Sequence, residues 1–277
     1  METAADTSLE TRDIKPKIGS EILADKASLL GGAHAGRIRE LLEQRGVLVF
    51  PKIGFTDEEQ LQFTKTLGNT ARERTGEEVF AISLDPEVSS GVEYLKGAFY
   101  WHFDGVIQAR PILASLLSSK VLSPTGGNTE FCNTYAAYED LPEEEKARIE
   151  GLRVIHSNWA PLLYHDPDPD QEKLKMFAEF GEVELPLVWT HRSGRKSLVL
   201  GCTATQVVGM DRKESVLLLN GLREWATSEP FHYSHSWSVG DMVMWDNTGT
   251  LHRATPYPLD CGRELHRTKL EGEEPVV

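Results

Sequence analysis

The sequence predicts a mostly β protein with flanking helices, its core a β-sandwich or jelly roll. Helix-period segments come first, at 33–45 and 56–68. Many short strand-like runs follow, separated by turn signals, with a helical excursion among them at 213–228. The chain has 277 residues, 40% hydrophobic and 26% charged, enough to bury a sizeable core in one domain.

Taken in order, residues 1–18 are polar and acidic, without an apolar leader stretch, and read as a flexible segment ahead of a single domain over 19–277. In AHAGRIRELLEQR, Ile38, Leu41 and Leu42 recur at helical spacing, and Gly46 ends the helix. VLVF reads as a buried strand stopped by Pro51. Thr56 and Glu59 form a capping box ahead of a second helix that Gly68 closes. Residues 69–98 are irregular and charged, with a strand at VFAISL. FYWHFDGV and RPILASLLSSKVL read as strands, the glycine turn of SPTGGNTEFCNT leads into another, and 135–150 as one helix. Residues 157–184 form a long acidic insertion, and a loop of that length suits a lid. Short strands then run through LPLVWTH, SLVLG, FHYSHSW and MVMWDNTGTLHRATPY, with turns at SVGD and NTGT.

Bulk properties narrow the function. Lys and Arg total 29 against 43 Asp and Glu, a net charge of −14, which repels nucleic acid and anionic lipid. The 3 cysteines are widely spaced and make neither a disulfide framework nor a structural zinc site. No apolar stretch is long enough to span a bilayer, so a soluble, cytoplasmic protein is expected.

Within FYWHFDGV, His102 and Asp104 would share one face of a strand. Burying an imidazole beside a carboxylate is costly unless a metal or a hydrogen-bonded pair satisfies them. Of the 9 histidines, His252 stands out as the partner, because it follows a buried strand and a turn in MVMWDNTGTLH. Two histidines and a carboxylate on adjacent strands form the facial triad that holds non-haem iron(II) and leaves positions open. Arg263 and Arg267 follow, and on one further strand they would face the same side. A guanidinium is a planar fork suited to carboxylates, as chelation of a 2-oxo acid would require.

Five stretches in this order resemble one family: WHFDG at 101–105, GGNTEF at 126–131, THRSGRKSL at 190–198, GDMVMWDNTGTLHRA at 240–254 and GRELHRTKLEGEEPV at 262–276. The chain is similar to the iron(II)- and 2-oxoglutarate-dependent dioxygenases of the taurine and dichlorophenoxyacetate dioxygenase type over roughly residues 35–276. The resemblance implies a double-stranded β-helix core, with His102, Asp104 and His252 as iron ligands. It implies Arg263 as the clasp for the C5 carboxylate of 2-oxoglutarate, helped by Thr129. Arg267 would lie near the primary substrate and meet an acidic group. Tyr100, with Phe99 and Trp101, would furnish an apolar pocket wall. A carboxylate at Asp104 argues against halogenation, where the family carries Gly or Ala. Two departures argue against taurine: LGNTARERTG lacks the family's histidine, and Ala98 stands where its asparagine would be.

The implied reaction uses iron(II), 2-oxoglutarate and O2, releases succinate and CO2, and oxidises, by default hydroxylates, a small organic acid. The triad also suits a zinc-dependent hydrolase or lyase, and the fold a non-catalytic jelly-roll sensor that binds a small acid. Oxygen uptake coupled to loss of 2-oxoglutarate separates these readings. Relatives of this type often form dimers or tetramers, so the resemblance also admits a homo-oligomer.

Overall fold

The computed structural model describes residues 9–73, 75–85 and 92–277. Its strands are β1 (Thr11–Asp13), β2 (Ser20–Ile22), β3 (Val47–Phe50), β4 (Thr70–Ala71), β5 (Phe80–Ile82), β6 (Ala114–Val121), β7 (Thr129–Asn133), β8 (Arg153–Ser157), β9 (Glu182–Pro186), β10 (Val188–Thr190), β11 (Lys196–Leu198), β12 (Ala204–Val207), β13 (His232–His235), β14 (Met242–Asp246), β15 (Thr250–Ala254) and β16 (Glu264–Leu270). The helices are α1 (Lys26–Leu30), α2 (Ala35–Arg45), α3 (Asp57–Leu67), α4 (Val92–Leu95), α5 (Thr134–Glu139), α6 (Glu143–Ile149), α7 (Leu162–His165), α8 (Gln171–Ala178) and α9 (Arg212–Ala226). The chain is thus mostly β with flanking helices.

The major sheet has 8 strands in the order β1-β2-β3-β14-β6-β16-β4, with β5 also on β16. A second sheet runs β13-β7-β15, a third β12-β8-β9, and β10 pairs with β11. Strand alternation assigns the faces of the major sheet. Val49, Val243, Leu117 and Arg267 are paired across β3, β14, β6 and β16 and therefore project together. Val47, Val49, Leu117, Val243, Trp245 and Leu265 pack with Phe131 of β7 in one cluster, which joins the major and second sheets face to face. On the opposite face Leu48, Leu116, Met242, Met244 and Leu270 meet Ile38, Leu41, Leu42, Phe63 and Leu67 of α2 and α3. Each such side chain contributes about 1.5–3 kcal/mol by leaving water. A third cluster covers the far side of the second sheet, where Cys132 and Leu251 pack with Trp189, Leu198, Leu218 and Leu222.

Three expectations are corrected. Of the segment expected to be flexible, residues 1–8 lie outside the described residues, but Thr11–Asp13 pairs with β2 and Ile18 is fully buried. Residues 74 and 86–91 of the irregular stretch also lie outside the described residues. The helix expected over 135–150 is α5 and α6, because Pro142 has no N–H to continue the first and instead precedes the second. FYWHFDGV is not a strand: Lys96–Phe99 is a 3-10 turn, and His102 makes an isolated bridge to His252. The aromatic residues pack against separate neighbours, so no continuous ladder forms there.

Candidate active site

Strand pairing builds one wall of the site. In β15 and β7, His252 lies opposite Phe131 and Ala254 opposite Thr129, so Thr129, Phe131 and His252 face the interior. Arg253 and Glu130 occupy the other face and pair there at 2.6 Å. Trp245 and Phe131 flank the His252 ring, with centroids 4.7 and 6.4 Å away.

The backbone at Trp101 and His102 is clamped from both sides. His102 N–H donates to the His252 carbonyl at 3.1 Å, and His252 N–H returns a bond at 2.9 Å. Opposite, Cys202 N–H donates to the Trp101 carbonyl at 2.7 Å. Gly201 permits this approach. Its φ is +124°, and a Cβ there would come within 3.0 Å of the Trp101 carbonyl oxygen and 3.2 Å of His102 Cα. His102 and Asp104 therefore reach His252 through a bridge and a turn rather than through a common strand.

The three side chains converge. Ligand atoms of His102, Asp104 and His252 all lie within 4.8 Å of one another. The imidazole centroids of the histidines are 4.1 Å apart, and His102 Nε2 is 3.8 Å from Asp104 Oδ1. His102 Nδ1 lies 2.8 Å from the Tyr100 carbonyl, which can only accept, so Nδ1 carries a proton and Nε2 is the nitrogen that faces Asp104. Burial pushes the His252 imidazole well below its usual range, and His102 and Arg267 act in the same direction, so the ring is neutral. Nδ1 of His252 is buried and has no partner among the described residues. Burial alone would raise the Asp104 carboxyl, but its cationic neighbours, Arg267 foremost and Lys269 further off, outweigh it and hold the group ionised. Two imidazoles, one carboxylate and an orphaned ring nitrogen fit a divalent cation with open positions.

Asp104 is itself held. Its Oδ2 accepts from Ser115 Oγ and Arg267 Nη1, each at 3.3 Å. Ser115 Oγ accepts from Asn247 Nδ2 at 2.9 Å, and Asn247 Oδ1 accepts from Trp245 Nε1 at 2.8 Å. This chain occupies one carboxylate oxygen and leaves Oδ1 toward His102.

The two arginines differ in their surroundings. Arg263 is 4% exposed, donates from Nη2 to the Gly127 carbonyl at 2.9 Å, and lies 4.6 Å over the Tyr257 ring. Burial pushes its pKa down, with Tyr257 opposing. No carboxylate pairs with it among the described residues. Gly127, at φ +77°, is needed here, because a Cβ would come within 3.0 Å of Arg263 Nε. Arg267 lies within β16 and donates from Nη2 to Glu73 at 2.8 Å as well as to Asp104. Thr129 is buried, and its Oγ1 accepts from Trp237 Nε1 at 3.0 Å, leaving the hydroxyl proton to donate elsewhere. The Tyr100 hydroxyl donates to the Tyr164 carbonyl at 2.9 Å, and the two rings lie 4.9 Å apart. Tyr100 thus packs its ring and bonds its hydroxyl to α7, and so fastens the 157–184 insertion, which contains α7 and α8.

Glu73, Ser115 and Asn247 escape sequence reasoning. Glu73 lies in a charged irregular stretch like many solvated loops, and the other two carry no motif until β6 and β14 are known to be neighbours.

Among the described residues no helix is long and apolar enough to cross a membrane. The sequence profile of the family described as "Taurine catabolism dioxygenase TauD, TfdA family" matches residues 10–269. The chain is 34% identical over 262 residues to the alpha-ketoglutarate-dependent 2,4-dichlorophenoxyacetate dioxygenase of Cupriavidus pinatubonensis, covering 88% of this chain and 90% of that protein. It is 32% identical to an alkylsulfatase of Acinetobacter baylyi, over 96% of this chain and 86% of that one. The crystal structure of AAD-2 in complex with Mn(II) and N-oxalylglycine superposes with a TM-score of 0.83 at 33% identity, covering 98% of this chain and all of that one.

Proposed function

We propose specific roles for the residues of the site from one premise: the chain belongs to the TauD/TfdA dioxygenase family and is an iron(II)- and 2-oxoglutarate-dependent dioxygenase. His102, Asp104 and His252 hold the iron, Arg263 and Thr129 hold the distal carboxylate of 2-oxoglutarate, and Arg267 with the Tyr100 ring receives the primary substrate. The observation that carries the assignment is the convergence of three ligand atoms within 4.8 Å of one another. When bound, ferrous iron supplies the redox chemistry that couples O2 and the decarboxylation of 2-oxoglutarate, to succinate and CO2, with oxidation of a substrate C–H bond.

The protein contributes binding and orientation. Asp104 stays anionic because Arg267 faces it, and the buried His252 stays neutral beside Phe131 and Trp245. Arg263 is a buried guanidinium with no paired carboxylate among the described residues, so a dicarboxylate cosubstrate satisfies it and is thereby oriented. Thr129 donates its free hydroxyl proton to the same carboxylate. The insertion at 157–184, fastened through Tyr100, serves as a lid that excludes water, and the two facing sheets form the double-stranded β-helix.

The substrate is a small organic acid with an apolar body. Supporting this are Arg267, whose guanidinium lies 5.9 Å from the Phe80 ring centroid, and relatives whose names specify 2,4-dichlorophenoxyacetate and (S)-phenoxypropionate. The enzyme acts in the cytoplasm on small molecules rather than on nucleic acid or membranes, and homo-oligomers are compatible with this reading. Succinate release is the test, measured with iron(II), ascorbate and 2-oxoglutarate against aryloxy acids, sulfate esters and taurine. We expect aryloxy acids to stimulate release, His102→Ala to abolish it, and Arg263→Met to raise the KM for 2-oxoglutarate at least tenfold, about 1.4 kcal/mol. Turnover that persists in His102→Ala or in rigorously metal-free protein defeats the ligand assignment.

A further inference from the structure

We propose that Glu73 tunes the affinity of this site for acids by occupying the face of Arg267 that the acidic group of the substrate takes over. The proposal rests on the reading of Arg267 given above. Glu73 is a two-armed clamp: Oε1 accepts from Arg267 Nη2 at 2.8 Å and Oε2 from Lys269 Nζ at 2.8 Å. Arg267 and Lys269 alternate along β16 and so share the face that also bears Leu265, the interior face of the major sheet. Arg267 Nη1 reaches Asp104 Oδ2 at 3.3 Å. Two cations are therefore matched by two carboxylates, and the exposed fractions of the Glu73, Arg267 and Lys269 side chains are only 14%, 16% and 10%.

That charge balance decides what the site accepts. While Glu73 stays in place, an arriving anion meets a neutralised guanidinium and an ionised Asp104, and like charge in a poorly hydrated site is repelled. Once Glu73 withdraws, Arg267 and Lys269 face the site together and offer two donors to one anion. Withdrawal is cheap in structure. Glu73 sits in the connection between β4 and β5, strands that flank β16 side by side, and its backbone bonds run within the loop, to Glu77 and Gly76. Residues 75–77 are exposed. A neutral ligand makes no ionic contact with Arg267 and leaves Glu73 in place, so Glu73 sets how tightly acids bind and leaves the binding of their amides or esters unchanged.

The test measures binding calorimetrically on protein loaded with Mn(II) and N-oxalylglycine, with phenoxyacetate, phenoxyacetamide and inorganic sulfate as probes. Glu73→Gln should tighten phenoxyacetate about tenfold, since a competing charge-paired carboxylate is removed, and should tighten sulfate in the same direction. Binding of phenoxyacetamide should not change. Glu73→Ala should reproduce the pattern, and thermal melts identify whichever variant fails to fold. Unchanged or weaker phenoxyacetate binding in both variants overturns the proposal, as does failure of Glu73→Gln to bind either anion. Tightening of N-oxalylglycine instead of phenoxyacetate also overturns it, because Glu73 would then stand in for the cosubstrate. Arg267→Met separates the two layers. If it binds phenoxyacetate as the wild type does, the role of Arg267 fails. If it loses phenoxyacetate while Glu73→Gln gains nothing, only the role of Glu73 fails.

Discussion

Asp104 presents one oxygen to the site because the other is occupied. Oδ2 is held by Ser115 and Arg267, and Ser115 can direct its proton to Asp104 because its lone pair is taken by Asn247 Nδ2. Partners of a ligand matter almost as much as the ligand, since they fix its orientation and charge. Ser115→Ala leaves Asp104 short of a donor and Asn247 short of an acceptor, and we expect Mn(II) affinity to fall about tenfold. Titration followed by electron paramagnetic resonance reads this directly, and unchanged affinity would show that Ser115 does not orient Asp104 for the ion. The three converging side chains, His102, Asp104 and His252, were legible as candidates in the sequence, because non-haem iron demands particular side chains and those side chains recur in a recognisable order. Ser115 and Glu73 were not. Their roles exist only because Ser115 lies opposite both Trp245 and Lys269, a register set by strands far apart in the chain.

At the scale of elements, local signals were read reliably and non-local ones were not. The capping box at Thr56 is present in both directions, with Thr56 Oγ1 accepting from Glu59 N and Glu59 accepting from Thr56 N. It secures α3, whose fully buried Gln60 donates to the Leu116 and His266 carbonyls and so supports the strand that carries Arg267. Thr56→Ala should cost about 1 kcal/mol, read as a fall in Tm of about 2–4 °C. By contrast, FYWHFDGV has strand composition but forms a 3-10 turn and an isolated bridge, because its partners, β15 and the Gly201 turn, are distant in sequence. The α4–α8 contact carries its own pH dependence. Lys96 and Lys173 hold the Glu93 carboxyl down at about 2 against an ordinary 4.5. A depressed carboxyl adds stability above the unfolded value, and that contribution disappears as pH falls from about 4.5 toward 2. Glu93 is partly exposed, so solvent screening limits the effect to under about 1 kcal/mol. We expect amide exchange in α8 to accelerate over that pH window and Glu93→Gln to remove the pH dependence. Exchange that accelerates equally in Glu93→Gln would assign it to other carboxylates.

For the molecule as a whole, the site is a junction. His252 belongs to the second sheet, Arg267 and Lys269 to the major sheet, and His102 and Asp104 to the segment that runs between them into β6. The order of elements predicted a β core with outer helices, but it could not supply the strand order β3-β14-β6-β16, whose members come from opposite ends of the chain. A cation gripped at this junction ties together parts that separate on unfolding, and an unfolded chain cannot bring His252 to Asp104. Ligand that binds only the folded state stabilises it by RT ln(1 + [L]/Kd), about 2.7 kcal/mol at a hundredfold excess over Kd. Mn(II) with N-oxalylglycine should therefore raise Tm by several degrees, on the scaling of about 2–4 °C per kcal/mol for chains near this size. His252→Ala should abolish the rise even where the variant folds, because the remaining ligands lie on one side of the junction. A rise that survives in His252→Ala would mean that the ion is held elsewhere and that the two sheets are joined without it.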